Sequence, residues 1–231
     1  MINLIFWIIG ILILFIICFI DIKFNNKSII LNSNIVKNNS FYKGNLAEQE
    51  LILTLKNYGI NSKAIFHNLY VKKSDGKYAQ IDVAVLTNKG LIVFEVKNYS
   101  GWIYGDENQT FWTKVLAYGR KKYKFYNPIM QNATHIKALR YNLPQNLKIP
   151  IYSIIVFYGN AALKNISCSS LNTYIINSNS VCDVVESILN KPIITDFNNK
   201  KILQVLNRAS RNSKNPFIII PHAYLSEKHL K

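Results

Sequence analysis

Cysteine is scarce in this chain of 231 residues. Its three cysteines, Cys18, Cys168 and Cys182, show no CxxC spacing, and Cys18 lies inside an apolar run. Structural zinc sites and secreted disulfide scaffolds both depend on characteristic cysteine spacings. The sequence therefore argues against a zinc knuckle and a disulfide framework, and it is compatible with a reducing compartment.

Acidic residues are also few. There are 12 Asp and Glu against 28 Lys and Arg, which gives a formal net charge of +16. This excess is unusual for an enzyme that acts on neutral or cationic small molecules. It favours a polyanionic partner, either nucleic acid or an acidic membrane surface. Because Lys, Asn and Ile are all abundant, the codon bias of an AT-rich genome is an alternative source of part of the charge.

A long apolar run opens the chain. It extends from Ile2 to Ile20 and is interrupted only by Asn3 and Gly10. At a rise of about 1.5 Å per residue, a helix of this length crosses a hydrocarbon layer of about 30 Å. We therefore predict a transmembrane anchor over residues 1–22. A cleaved signal peptide is the alternative, but no Lys or Arg precedes the run and no small-x-small cleavage site follows it.

Lysines follow the apolar run, whereas no charged side chain precedes it. This asymmetry predicts a single-pass inner-membrane protein with its N-terminus outside and its body in the cytoplasm. Residues 23–40 are rich in Asn, Ser and Lys, so we expect a polar tether there. The lysines that predict the orientation are Lys23, Lys27, Lys37 and Lys43.

The body of the chain has the pattern of an α/β domain. Two neighbouring strands are apolar on both faces, so they need cover on each side. We predict a mixed central β-sheet flanked by helices, with a core in residues 41–145 that residues 146–231 complete. The expected helices are 45–58, one beginning at Asn127-Pro128, 180–190 and 198–209, and the expected strands are 64–71, 80–87, 91–97, one within 101–112, and 151–157.

A tight turn at Thr87-Asn88-Lys89-Gly90 predicts a β-hairpin in which Gly90 takes a positive φ. With Asn88 and Lys89 as the loop, Asp82 lies opposite Glu95 and Gln80 opposite Lys97. Side chains alternate along a strand, so all four are expected on one face. A bulge at Gly90 is the alternative, and it would turn Asp82 to the other face.

Two acids in an apolar sheet need compensation, because burying an unpaired charge costs several kcal/mol. A divalent cation between Asp82 and Glu95 would provide it, and their hard oxygen ligands suit Mg²⁺. The alternative is a buried ion pair in which Lys97 neutralises one acid and the other acid is hydrogen-bonded elsewhere. The spacing of the residues leaves both interpretations open.

Glu48 is a third acid of interest. It falls on the helical stripe of Leu51, Ile52 and Leu55, which directs its carboxylate toward the core. The spacing Asn45-x-x-Glu48 also fits a capping box, in which Glu48 would bond back to the cap backbone. Both interpretations are open.

A basic and aromatic segment extends from Arg120 to Tyr126. Its cations could hold phosphates while its aromatic rings stack on exposed bases. The alternative is an ordinary solvated edge strand, which lysines protect from aggregation. The predicted nucleic-acid contacts are Arg120, Lys121, Lys122 and Lys124.

Several motifs between Lys43 and Arg140 resemble the nuclease-related domain (NERD) family, which is similar to PD-(D/E)xK restriction-like nucleases. Ala47 is a departure, because the family more often has Gly before the acid. The motifs are Gln80-Ile81-Asp82, the run Gly90 to Tyr99 with Glu95-Val96-Lys97, Gly101-Trp102-Ile103-Tyr104-Gly105, Trp112, Gly44-x-x-Ala47-Glu48, and Asn127-Pro128-x-x-Gln131-x-x-x-His135.

The resemblance implies a restriction-endonuclease-like fold and phosphodiester hydrolysis. Asp82 and Glu95 would ligate Mg²⁺, or Mn²⁺ as an alternative, and Glu48 would be an outer ligand or would help activate the water. Lys97 would orient a water or stabilise charge on the phosphate. Gln131 would be a further site residue. His135 is expected to be a solvated helix-face histidine, because Ile129, Ala133 and Ile136 form the apolar stripe of that helix.

The function these observations favour is a membrane-anchored, metal-dependent DNA endonuclease or nickase. One alternative is a non-catalytic, membrane-tethered module that binds nucleic acid. Another is a peripheral membrane protein whose positive charge contacts anionic lipid, although this leaves the two acids unexplained. The sequence leaves open whether two copies form a homodimer to cut both strands.

Overall fold

The computed structural model describes residues 46–116, 119–193 and 199–219. The predicted anchor over residues 1–22 and the tether over residues 23–40 lie outside the described residues. No helix within the described ranges is long and apolar enough to cross a membrane.

The described chain forms four helices and nine strands, apart from short helical turns. The helix near the start matches the predicted one, and β2 and β3 match the predicted hairpin. The elements are α1 (46–57), β1 (Ile65–Lys72), β2 (Tyr78–Thr87), β3 (Gly90–Asn98), β4 (Gly101–Asp106), β5 (Phe111–Leu116), β6 (Lys121–Tyr126), α2 (Pro128–Asn142), β7 (Ile151–Tyr158), β8 (Ala161–Ser167), β9 (Thr173–Asn177), α3 (Val181–Leu189) and α4 (Asn199–Asn212).

The strands form two sheets rather than the single central sheet that the sequence predicts. The first sheet has five strands in the order β1-β2-β3-β7-β9, and the second has four in the order β6-β5-β4-β8. In the first sheet, β1, β2 and β3 are antiparallel, whereas β7 runs parallel to β3 and β9 parallel to β7. The mixed α/β architecture is thus confirmed, whereas the prediction of a single sheet is corrected to two sheets.

The predicted hairpin register is confirmed over the paired part of β2 and β3. Thr87 pairs with Gly90 and Val83 with Phe94, so Asn88 and Lys89 form the loop. Gly90 has φ 129°, and a Cβ added there would lie 2.4 Å from the carbonyl oxygen of Pro150. No side chain fits in that space, so this turn requires glycine.

Helices cover both faces of the first sheet, as the apolar character of β2 and β3 predicts. Residues of α2 and α4 form one core with Leu91 and Val93 of β3. Residues of α1 and α3 form the other core with Ile92 and Phe94 of the same strand. Alternate residues of β3 therefore enter opposite cores, as expected for a central strand.

The second sheet packs its inner face on the first sheet and on α2. Ile103 and Trp112 are fully buried there, in a cluster with Phe157 of β7 and Ile129 of α2. A Cβ added to Gly105 would lie 2.1 Å from the Trp112 ring. The absence of a side chain at residue 105 therefore makes room for the indole.

The buried face of α2 differs from the predicted stripe. Ala133 is exposed, whereas Asn132 and His135 are buried along with Leu139. The amide of Asn132 donates hydrogen bonds to the carbonyl of Val93 (3.0 Å) and to the hydroxyl of Ser153 (2.8 Å). Polar side chains of α2 can face the sheet because the sheet provides hydrogen-bond partners for them. A prediction from hydrophobic periodicity cannot identify such buried polar residues.

Candidate active site

The acids of the predicted site lie at the end of the β2–β3 ladder. The paired register stops at Val83 and Phe94, one residue short of Asp82 and Glu95. The backbone N–H of Val96 instead donates a hydrogen bond of 2.8 Å to Oδ2 of Asp82. Where the backbone ladder ends, this hydrogen bond to the side-chain carboxylate holds Asp82 against β3.

The side-chain alternation of β2 shifts at Asp82, so Gln80 does not share the face of Glu95 and Lys97. Ala79 and Ile81 belong to the same core as Ala84, although regular alternation would place odd and even residues on opposite faces. Gln80 pairs with Tyr70 of β1, and its amide donates to Oδ1 of Asn68. The prediction that Gln80 lies opposite Lys97 is therefore wrong. Asn68, with φ 50°, marks the same irregularity in β1.

Lys97 connects β3 to α2. Its ammonium lies 2.6 Å from Oε1 of Glu95 and donates a second hydrogen bond of 3.0 Å to Oε1 of Gln131. The side chain of Glu95 is only 1% exposed, and that of Lys97 is 15% exposed. The structure thus brings Gln131 into direct contact with Lys97, 34 residues away in the chain.

His135 is the residue that the sequence placed wrongly. It is buried, and its Nδ1 lies 3.3 Å from Oε2 of Glu95. The prediction of a solvated histidine failed because it assumed that Ala133 faces the core, whereas Ala133 is exposed and His135 is buried. His135 and Gln131 are separated by four residues, about one helical turn. This spacing was the available signal that both side chains face the same group of residues, Glu48, Asp82, Glu95 and Lys97, which we call the acid cluster.

Glu48 lies near these acids on α1. Its side chain is half-buried, and its neighbours on the helix, Ala47 and Leu51, are buried. Burial raises the pKa of Glu48 to about 7, and the charges of Asp82 and Glu95 add to the effect. Burial and the Glu48 charge also raise the pKa of Tyr70. Asn45, the partner in the capping-box alternative, lies outside the described residues.

The pKa values of the two acids of the first sheet, Asp82 and Glu95, are both raised. Burial, with a contribution from Glu95, raises the pKa of Asp82 to about 8, although Lys97 and the Val96 N–H oppose it. Burial also raises the pKa of Glu95, against the attraction of Lys97. Burial alone would lower the pKa of Lys97, but Glu95, Tyr99 and Asp82 outweigh it and the net pKa is raised. Three acids around one lysine leave an excess of negative charge.

The donor set suits a hard divalent cation. Oε2 of Glu95 is buried, with His135 Nδ1 at 3.3 Å as its neighbour but no hydrogen bond of good geometry within the described residues, and Asp82 offers a second carboxylate. Mg²⁺ usually keeps several waters and is bound through one or two carboxylates. Asp82 and Glu95 therefore fit this ion. In residues 46–116, 119–193 and 199–219, no three His, Cys, Asp or Glu side chains are grouped as a ready-made metal site.

The basic segment forms the edge strand β6 of the second sheet. Arg120 and the three lysines are exposed. Strand pairing sets their directions: Lys122 and Lys124 pair with Val115 and Thr113, whereas Lys121 pairs with Leu116. Lys122 and Lys124 therefore project from one face of the sheet and Lys121 from the other.

Comparison with known proteins places the chain in a family. The nuclease-related domain matches residues 43–158, which include every residue of the acid cluster. An uncharacterized protein of Bacillus anthracis is 33% identical over 166 residues, which cover 72% of this chain and 76% of that protein. No solved structure matches significantly. The chain therefore belongs to the nuclease-related domain family.

Proposed function

We propose that this protein is a metal-dependent nuclease that hydrolyses DNA phosphodiester bonds, with Asp82, Glu95 and Lys97 as its central residues. The observation that carries the proposal is the position of Lys97, held between Glu95 and Gln131 beside an excess of carboxylate. A fixed ammonium next to a cation-binding acid pair suits a reaction in which negative charge develops on a phosphate.

Each residue has a role in this proposal. Asp82 and Glu95 would hold Mg²⁺ or Mn²⁺, which when bound supplies Lewis-acid polarisation of the phosphate and a lowered pKa of coordinated water. Gln131 keeps the Lys97 ammonium directed at the substrate. Glu48, with a pKa of about 7, is able to accept a proton from the attacking water near neutral pH.

A second candidate is a non-catalytic, membrane-tethered module that binds nucleic acid. The observation in its favour is the 2.6 Å pair of Lys97 and Glu95, which by itself neutralises one buried acid. In that case Asp82 would stay protonated, as its raised pKa of about 8 allows.

Cleavage of supercoiled plasmid separates the two candidates. The full-length chain in detergent should relax or linearise plasmid with Mg²⁺ and not with EDTA. Glu95→Gln and Lys97→Met should each reduce the rate by about 100-fold or more, as expected when a group stabilising the transition state is lost. Glu50→Gln, at an exposed acid of α1, is the matched control. Full activity of both site variants would leave the binding module as the function. Accumulation of linear rather than nicked product would support a homodimer.

We also propose that the chain is anchored in the inner membrane with its body in the cytoplasm. The support is the apolar run and the lysines that follow it. Protease added outside intact cells should leave the body uncut, and permeabilised cells provide the control. Digestion of the body in intact cells would contradict this placement.

A further inference from the structure

The second sheet has an outer face, opposite buried Ile103 and Trp112, that carries aromatic residues on β4, β5 and β6, lysines on β6, and Thr113 and the buried Val115 between them. Trp102 pairs with Val115, and Val115 with Lys122. Tyr104 pairs with Thr113, and Thr113 with Lys124. Phe111 pairs with Tyr126. Directly paired residues project to the same side. The outer face is therefore defined by Trp102, Tyr104, Phe111, Lys122, Lys124 and Tyr126.

The rings of this face are unusually exposed. Phe111 is 54% exposed, Tyr126 45% and Trp102 38%. Phe111 and Tyr126 meet edge to face at 6.3 Å, which leaves part of each ring open to solvent. On the inner face, Trp112 is fully buried and packs on Phe125 and Phe157, whereas Tyr123 is 47% exposed. Core packing thus accounts for Trp112 and Phe125 but not for the exposed rings of the outer face.

The cations of the outer face lie on β6. Lys122 and Lys124 are exposed, and each lies across from an aromatic residue of β4, two strands away. Asp106 and Glu107 lie at the end of β4. Hydrogen bonds from Ser167 to Asp106 and from Ser169 and Ser170 to Glu107 hold the pKa of each acid below its usual range, so both are ionised and offset part of the positive charge. The free cations are therefore those of β6, where a phosphate next to an exposed ring complements them.

We propose that the outer face of the second sheet binds single-stranded nucleic acid, with bases stacked on Trp102, Phe111 and Tyr126 and phosphates held by Lys122 and Lys124. Aromatic rings stack on any unpaired base, because every base has a π-face, whereas duplex bases are stacked on one another and unavailable. Residues two apart in a strand are about 7 Å from each other. Each set of residues paired across β4, β5 and β6 can therefore bind one nucleotide, and the next such set can bind the next nucleotide.

The face lies close to the acid cluster along the chain. Trp102 follows Lys97 by five residues, which limits the separation of their Cα atoms to about 18 Å. The inference rests on the proposed nuclease function and narrows its substrate: a single strand, or an unpaired region of a duplex, would be guided to the acids by this face.

The test is binding of the full-length chain, in detergent and EDTA, to a fluorescein-labelled oligo-dT and to a duplex of equal length. The single strand should bind about tenfold or more tightly than the duplex, and Phe111→Ser/Tyr126→Ser should weaken single-strand binding by about tenfold or more. Duplex binding should change much less. Tyr126→Phe, which keeps the ring, and Tyr141→Ser, at a still more exposed aromatic residue of α2, should retain wild-type affinity.

Two results would overturn the inference. One is equal oligo-dT affinity of the wild type and the folded double variant, with folding checked by circular dichroism. The other, measured in a Trp7→Phe background, is quenching of Trp102 by brominated phosphatidylserine in mixed micelles but not by oligo-dT, which would assign the face to lipid.

Because binding is measured without divalent metal, it is independent of cleavage. Glu95→Gln should bind oligo-dT like the wild type. If the wild type binds through this face but cuts no nucleic acid, only the proposed nuclease function fails. If it cuts duplex plasmid and the double variant binds normally, only the outer-face inference fails.

Discussion

Oε2 of Glu95 lies 3.3 Å from Nδ1 of His135, while Oε1 of the same carboxylate contacts Lys97 at 2.6 Å. The two oxygens of one buried acid are thus positioned by residues from different elements, β3 and α2. This arrangement fixes the rotamer of Glu95 more firmly than the strand alone would.

We expect His135 to be a positioning residue rather than a group that contacts substrate. His135→Ala should lower the plasmid cleavage rate by about 10- to 100-fold, the usual effect of losing a supporting partner of a ligand. His135→Asn, which keeps a hydrogen-bonding side chain, should recover much of that loss and require more Mg²⁺ for half-maximal rate. His67→Ala, at an exposed histidine of β1, is the control. Equal and complete inactivity of both His135 variants would indicate a direct chemical role.

The raised pKa values of Glu48 and Asp82 predict that stability falls as pH rises in the absence of metal. Their pKa values are about 7 and 8 in the folded state, against about 4 in an unfolded chain. Between pH 4 and 8 the folded state therefore binds more protons than the unfolded state, and raising the pH favours unfolding. Thermal unfolding in EDTA should give a lower Tm at pH 8 than at pH 6.

Divalent cations compete with those protons, so the rise in Tm caused by Mg²⁺ should be larger at pH 8 than at pH 6. The double variant Glu48→Gln/Asp82→Asn should lose most of both effects, which separates these acids from the other titrating groups. A wild-type Tm in EDTA that rises between pH 6 and 8, while the variant behaves identically, would contradict the assignment.

The lysines of the outer face should determine the salt dependence of single-strand binding. Each phosphate contact contributes a slope of about −0.7 in log affinity against log salt, so Lys122→Gln/Lys124→Gln should reduce the slope by about 1.4. Lys56→Gln/Lys63→Gln, at exposed lysines outside the second sheet, should leave it unchanged. A binding titration at four salt concentrations gives the slopes. If the outer-face variant keeps the wild-type slope, β6 is a solvated edge strand.

Gly105 should be intolerant of any side chain. Alanine would place its Cβ 2.1 Å from the fully buried Trp112 ring, which contacts Phe125 and Phe157 and has little room to move. Overpacking of this kind costs about 3 kcal/mol or more. Urea unfolding should show this loss for Gly105→Ala. Gly76→Ala, whose Cβ meets nothing within 4 Å, should lose only about 1–2 kcal/mol through its positive φ. Similar losses in both variants would contradict the steric explanation.

Local signals were sufficient for the hairpin that carries the acids. The loop Asn88-Lys89 before Gly90 determines the register, because a two-residue hairpin loop fixes which residues of the two strands are paired. The apolar character of both faces of β2 and β3 correctly predicted helices on both sides of the first sheet. The helix at 46–57 followed from its stripe of Leu51 and Leu55, both buried.

Other features depend on contacts between residues far apart in the chain. The second sheet was missed because β8 has a mixed pattern of exposed and half-buried residues, and its pairing with β4 joins residues about 60 positions apart. The polar face of α2 was missed because its partners, the Val93 carbonyl and Ser153, belong to the first sheet.

The sequence by itself determined the family and the hairpin register, and it singled out Asp82, Glu95 and Lys97 as candidate site residues, since these depend on motif order and on the two-residue period of a strand. Only the tertiary structure decided that Gln131 and His135 contact Lys97 and Glu95. It also decided that the aromatic and lysine residues of three separate strands share one outer face. Strand order and helix rotation are chosen by the packing of the whole core, in which each residue's exposure depends on distant partners that no local pattern encodes.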